Sequence, residues 1–143
     1  MKKKLILSLA AISGLLLLTN MSFGAPLQQG CTITGTENGC QIDLKYGYDT
    51  ARVTFINFNA PAGAAKVTCD YTTVNEKFNN TASTGADGDF SKGSVSTASS
   101  QITALLKKPS TKTISGYLDF GVQSTDLLPG GSHHVTIKNC SAK

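Results

Sequence analysis

Ile114-Ser115-Gly116-Tyr117-Leu118-Asp119-Phe120-Gly121-Val122 is the stretch whose reading decides the fold. Ile114, Gly116, Leu118, Phe120 and Val122 fall on one face at a period of two, which marks a half-buried β-strand. The same period runs upstream, where Ile42, Leu44, Tyr46 and Tyr48 alternate with Gln41, Asp43, Lys45 and Gly47. Ala51 to Asn59 is apolar on both faces around Phe55-Ile56, as expected of a central strand or a bulge. Asp49-Thr50 leaves so little chain between these two strands that a hairpin is expected. A Pro/Gly turn at Asn59-Ala60-Pro61-Ala62-Gly63 leads into a strand from Lys66 to Val74. Leu128-Pro129-Gly130-Gly131-Ser132 turns the chain into the last strand, Val135 to Cys140.

Between Asn75 and Ser100 the pattern dissolves into Asn, Ser, Thr, Gly and Asp, which reads as a long polar excursion, a loop or loose hairpin. Short strands near Phe78 to Thr81 and Gly93 to Thr97 fit within it. Ser99 to Lys108 carries two readings. Ala98, Ile102, Leu105 and Leu106 have helical spacing with lysines in the last turn and Pro109 beyond, while Thr103 and the surrounding strands favour β; strand is the reading adopted. Seven or eight short, mainly antiparallel strands with regular turn signals make an all-β sandwich.

Two segments carry a resemblance. ARVTFINFNAPAGAAKVTCDY (Ala51 to Tyr71), a strand running into a Pro/Gly turn, resembles the front half of bacterial immunoglobulin-like modules. LLPGGSHHVTIKN (Leu127 to Asn139) resembles the L-x-P-G-x-S-x-x-V-x-I edge that closes such modules. The resemblance implies an immunoglobulin-like β-sandwich and no particular activity. The chain departs from the antibody pattern in having no Trp and a different cysteine spacing.

The N-terminus reads as an export signal. Met1-Lys2-Lys3-Lys4 is a basic n-region, and Leu5 to Leu18 is a nearly unbroken apolar run, too short to span a bilayer, which takes about 20 residues. Ser22-Phe23-Gly24 places small residues where a signal peptidase reads. Residues 1–24 are thus expected to be cleaved and residues 25–143 to form one domain in the periplasm or outside the cell. Removing Lys2, Lys3 and Lys4 from thirteen basic residues leaves ten against nine acids, a net charge of +1. That balance gives no support to a nucleic-acid or membrane partner. The densest remaining cluster is Lys107-Lys108 with Lys112.

In an oxidising compartment Cys31, Cys40, Cys69 and Cys140 are expected to be disulfide-bonded. Three connectivities exist, and nearness in sequence favours Cys31–Cys40 with Cys69–Cys140. Asn38-Gly39 supports a competing hairpin that sets Ile33 opposite Leu44 and holds Cys31 roughly 20 Å from Cys40, at about 3.3 Å per residue. A disulfide needs Cα atoms within about 7 Å, so the two readings exclude each other. Cys69 shares a face with Val67 and Tyr71, but Cys140 is out of phase with Val135 and Ile137. Joining them requires a bulge or strand end near Asn139.

Chemistry-bearing motifs are sparse. His133-His134 has metal-ligand side chains, yet neighbours on a strand point to opposite faces, and two solvated histidines beside a turn is the simpler expectation. Asp87-Gly88-Asp89 starts like a calcium loop, but Lys92 and Ala98 occupy the sixth and twelfth positions, where an EF-hand needs Gly and Glu. Neither Gly-x-Ser-x-Gly nor His-Glu-x-x-His occurs. Asp43, Asp49 and Asp119 are read as isolated solvated acids. Tyr46, Tyr48, Tyr71 and Tyr117 could form a sugar-stacking platform, though burial fits the phase of Tyr46 and Tyr48 better. Asn79-Asn80-Thr81 matches a glycosylation sequon that the bacterial style of the signal leaves unused.

The functional expectation is therefore a non-enzymatic recognition or adhesion module that binds a protein or glycan through loops, with no cofactor and no metal. Its binding residues are placed in the polar excursion at Asn79, Asn80, Asp87 and Asp89. The alternative is a small periplasmic inhibitor or immunity protein that blocks an enzyme with one loop. A pilus-type subunit and an exported hydrolase rank below these. Exported protein is expected to begin at Ala25, with Ser22 and Gly24 in the peptidase pocket. N-terminal mass spectrometry checks this, and a retained signal would contradict it.

Overall fold

A computed structural model describes residues 29–45, 50–124 and 132–143. The expected export signal at 1–24, Tyr46, Tyr48, Asp49 and the 128–131 part of the last turn lie outside the described residues. Ten strands occur among the described residues: β1 (Gln29–Thr34), β2 (Cys40–Asp43), β3 (Thr50–Asn59), β4 (Lys66–Val74), β5 (Glu76–Phe78), β6 (Gly85–Gly88), β7 (Phe90–Ser96), β8 (Gln101–Leu106), β9 (Thr113–Ser124) and β10 (His134–Ala142). They form two five-stranded sheets, so the strand count exceeds the seven or eight expected.

β9 is the spine of the first sheet, which runs β1-β3-β9. Ile114, Leu118, Phe120 and Val122 are buried, as the alternation of this stretch requires. One edge of β9 carries β3, and the other is shared by β6, opposite Gly116 to Asp119, and β5, opposite Val122 to Ser124. The second sheet runs β2-β10-β4-β8-β7. Only β1 and β3 pair in parallel among these ladders. Val53, Phe55, Leu118 and Phe120 from the first sheet share one core with Val67, Tyr71, Ile102 and Ile137 from the second. The layout is that of a sandwich.

β3 resolves its two-faced apolar run with a bulge inside a central strand. Its register against β9 shifts between Phe55 and Phe58, and Asn57 has φ 47°. The extra residue leaves Ile56 and Asn57 outside while Phe55 and Phe58 both turn inward and meet edge to face. Gly116 is required opposite Phe55. A Cβ there would lie 2.9 Å from the Phe90 ring and against the Asp87 carbonyl.

The expected hairpin between the second and third strands does not form. β2 pairs β10, whereas β3 lies in the other sheet between β1 and β9. Two ladders satisfy the amides and carbonyls of the ten-residue β3 along both edges, which the four-residue β2 could not do. The Asn38-Gly39 hairpin is also absent. Gly35, at φ 55°, and a Glu37 N–H to Thr34 C=O bond of 2.9 Å turn the chain at the end of β1. The backbone then crosses to the second sheet, and Cys31 on β1 is bonded to Cys40 on β2. This bridge joins the sheets at one side of the sandwich.

Cys69 on β4 is bonded to Cys140 on β10, within the second sheet. Their phases match because the ladder shifts register between Lys138 and Ser141, with Asn139 at φ 54°. The Asn139 side chain donates to Asp70 Oδ2 at 3.0 Å, and Gln101 donates to Asp70 Oδ1 at 2.9 Å. Asn139 first, then Gln101, holds the Asp70 carboxyl below its ordinary range. The native state thus favours the ionised form. That contribution is present at neutral pH and is lost as pH falls through the lowered value.

The polar stretch 75–100, expected as a loop, contributes three strands. β5, β6 and β7 lie in it, and Phe78, Phe90 and Val95 are core residues. Sparse apolar residues suffice because each strand is short and lies at a sheet edge. The ambiguous segment after it is the strand β8. Replacing residues 77–92 with a short Gly/Ser linker should therefore abolish cooperative thermal unfolding. It removes two buried Phe side chains worth roughly 3–5 kcal/mol each, against a typical total stability of about 5–15 kcal/mol. A melting temperature preserved within a few degrees would contradict the assignment.

Candidate functional site

One end of the sandwich gathers the β3–β4 turn, the β6–β7 turn and residues 107–112 between β8 and β9. The lysine-bearing loop is held from both flanks. On one side Lys107 donates its N–H to the Asp89 carbonyl at 2.8 Å. On the other, Ser110 donates to Ala64 and Gly63 donates to Ser110, each at 2.8 Å, and Ala60 donates to Lys112 at 3.0 Å. Asp89 Oδ2 accepts the Ser115 N–H at 2.8 Å, tying the β6–β7 turn to β9. The loop is therefore fixed by backbone bonds, leaving its side chains free for other contacts.

The result is a cavity of about 380 Å³ between Asp89 and the 106–114 segment. Leu106, Pro109 and Ile114 give it apolar surface, Ser110, Thr111 and Thr113 give hydroxyls, and Lys107, Lys108 and Asp89 give charge. The Ser110 hydroxyl oxygen is shielded from solvent and has no hydrogen-bond partner. A second, shallower recess of about 570 Å³ adjoins it, lined by Asn59 to Ala62, Thr111 and Lys112. Two ammonium groups against one carboxylate leave the cavity electropositive. Such a set can orient an anionic, hydroxyl-bearing ligand through charge-assisted hydrogen bonds.

The four residues expected to bind are not brought together. Asp89 lines the cavity, whereas Asp87 lies on β6 opposite Tyr117, where its Oδ1 accepts the Gly88 N–H at 2.7 Å. Asn79 and Asn80 lie further along the same edge. Asn79 donates its N–H to the Gly121 carbonyl at 3.1 Å, and the side chains of both crowd the Gly121 Cα. Gly121 is four residues from Tyr117, or about 13 Å along a strand. The Asp87-Gly88-Asp89 turn uses its carboxylates on backbone N–H groups. No group of three or more His, Cys, Asp or Glu side chains suited to a metal occurs among the described residues.

Lys107 and Lys108 were visible as the densest basic cluster in the sequence. Their signal was the sequence Lys-Lys-Pro-Ser-Thr between two strands, a turn that carries cations and hydroxyls together. Asp119, taken as an isolated acid, is paired instead. Arg52 Nε and Nη2 reach its two oxygens at 2.8 and 3.0 Å, and the guanidinium lies 3.6 Å from the Tyr117 ring centroid. The hydrogen bond to Asp119 holds Arg52 above its ordinary range. Tyr71 is buried, and burial pushes its phenol up.

His133 overturns the solvated reading of the histidine pair. Its side chain and that of Glu76 are each 3 % exposed, and His133 Nδ1 is hydrogen-bonded to Glu76 Oε1. Its other ring nitrogen, Nε2, is buried with no partner. The reason lies in strand phase, since His133 is two residues before Val135 and four before Ile137, both core residues. Its carbonyl also accepts the Leu44 N–H at 2.8 Å, continuing the β2–β10 ladder. His134, next in sequence, belongs to the opposite face.

These observations define a disulfide-bonded, all-β, two-sheet domain with a preformed cavity at one end. No family model matches the chain, and no curated protein matches it. Among solved structures it is similar to the crystal structure of the pre-peptidase C-terminal domain of collagenase from Bacillus anthracis. The identity is 16 %, with 84 % of this chain and 100 % of that chain covered at a TM-score of 0.41. A likeness of that degree carries no argument about function. For the buried pair, His133→Ala should destabilise the domain by about 3 kcal/mol, because Glu76 is left buried without its partner. Urea unfolding measures this, and a change below about 0.5 kcal/mol, typical of surface sites, would contradict it.

Proposed function

We propose that this chain is an exported, non-catalytic recognition module, built on an immunoglobulin-like sandwich and working in the periplasm or outside the cell. One observation carries the reading: a cavity of about 380 Å³ is preformed by loops that backbone hydrogen bonds hold in place. Small-ligand sites commonly occupy about 300–1,000 Å³ and combine apolar walls with a few fixed polar groups. A rigid scaffold presenting such loops is a common basis of binding. Two disulfides and the export-signal pattern at the N-terminus support the compartment. The loop at 107–112 replaces the 75–100 stretch as the recognition element of this reading, because that stretch is largely strand.

The test compares wild type with a Lys107→Glu/Lys108→Glu variant against a panel of glycans and purified envelope and host-surface proteins. Both lysines are exposed, so the variant should keep its melting temperature within a few degrees. At least one wild-type binder should weaken by about tenfold or more in the variant, equivalent to about 1.4 kcal/mol. Binders that tolerate both charge reversals would place recognition elsewhere and contradict the role of this cavity.

A further inference from the structure

We infer that the cavity between Asp89 and the 106–114 segment takes a carboxylated saccharide, a glycan unit carrying a uronate-type acid. This rests on the recognition reading above and names its ligand class. Three features of the cavity converge on that chemistry. Lys107 and Lys108 line it and are exposed, so their ammonium groups are available to a carboxylate. Thr111 and Thr113 are exposed and supply hydroxyls that both donate and accept, the pairing that sugar hydroxyls need. Leu106, Pro109 and Ile114 add apolar surface beside them.

Asp89 distinguishes a sugar from a simple anion. Its Oδ2 is engaged by the Ser115 N–H, and an inorganic anion beside this carboxylate would be repelled. A sugar hydroxyl can donate to a carboxylate while the acid group of the same ligand pairs with the lysines. Leu106, Pro109 and Ile114 complete the cavity with apolar surface, against which the C–H face of a pyranose ring can pack. An acidic peptide would satisfy the lysines but would leave most of the hydroxyl wall unmatched. The electropositive cavity therefore favours an acidic sugar over a neutral one, and the hydroxyl wall favours a sugar over a peptide.

The experiment is a titration of isotope-labelled mature protein, followed by amide chemical shifts, with four probes. These are trigalacturonic acid, its fully methyl-esterified form at equal molar concentration, and a tetraglutamate peptide and sodium acetate at equal carboxylate concentration. Saturable shifts should appear at Asp89 and across 107–114 with trigalacturonic acid. They should weaken by at least about tenfold with the ester and with Lys107→Ala/Lys108→Ala. They should also weaken as salt rises, because exposed charge pairs are screened beyond about 8 Å at physiological ionic strength.

Equal affinity for the ester would overturn the acidic class while leaving a saccharide-recognition site in place. Equal response to acetate or to tetraglutamate would overturn the saccharide. Shifts confined to other residues, or none with any probe, would overturn the inference. The broader recognition reading would then stand or fall on its own binding panel, where a lysine-dependent partner of another class can still appear.

Discussion

The sandwich depends on a short segment that links one sheet to the other. β5 and β6 lie in line along one edge of β9, and residues 80–83 between them leave that edge to meet the other sheet. Ser83 donates its N–H to the Gly93 carbonyl at 2.8 Å, and Val95 donates to the Thr81 carbonyl at 2.9 Å. Ala82 and Ser94 form a bridge between these bonds. Thr84 then returns to β9 by donating to the Asp119 carbonyl. The excursion covers the free edge of β7 and closes the core on that side, where an open edge would invite pairing with another chain. Gly93 permits it, because a Cβ there would lie 3.0 to 3.2 Å from Leu118, Ser83 and Phe120.

The opposite side is closed covalently. Cys31–Cys40 ties β1 to β2, the outermost strands of the two sheets. Its closed loop is short, with a sequence separation of 9, whereas Cys69–Cys140 closes one of 71. In the chain-entropy model such loops are worth about 2.5 and about 4 kcal/mol, so the longer bridge contributes more to stability and the shorter one more to geometry. Hydrogen bonds on one flank and a disulfide on the other hold the sheets in register. The loop end that carries Lys107, Lys108 and Asp89 is built upon that frame.

Much of the local structure was legible because a strand's period is indifferent to its partners. The face of Ile114 to Val122 and the strand from Lys66 to Val74 follow from phase alone, and the irregularity near Asn139 follows from phase once Cys69 and Cys140 are joined. Pairing was less legible. Asp49-Thr50 and Asn38-Gly39 are sound turn signals, yet β3 gains more from two long ladders than from a hairpin with β2. Edge strands β5 to β7 are hidden in the sequence because few apolar residues seat them: Phe78 in β5, Phe90 and Val95 in β7, and none fully buried in β6. His133 shares the phase of Val135 and Ile137 and is buried with them, although the turn signal immediately before it points to solvent. Of the residues lining the cavity, Asp89 carries a sequence signal for binding, whereas Lys107 and Lys108 read in the sequence only as a small basic cluster.

Native-state hydrogen exchange at Ser83 and Val95 tests the closure most directly. Their amides donate only to carbonyls across the junction between the sheets, and the surrounding residues are polar and largely exposed. If the linking segment closes the core, both should exchange as slowly as amides in the interior of β9, through global unfolding. Exchange at the rate of an unprotected loop would mean that residues 80–83 lie free of β7, and the account of how this sandwich is held shut would fail.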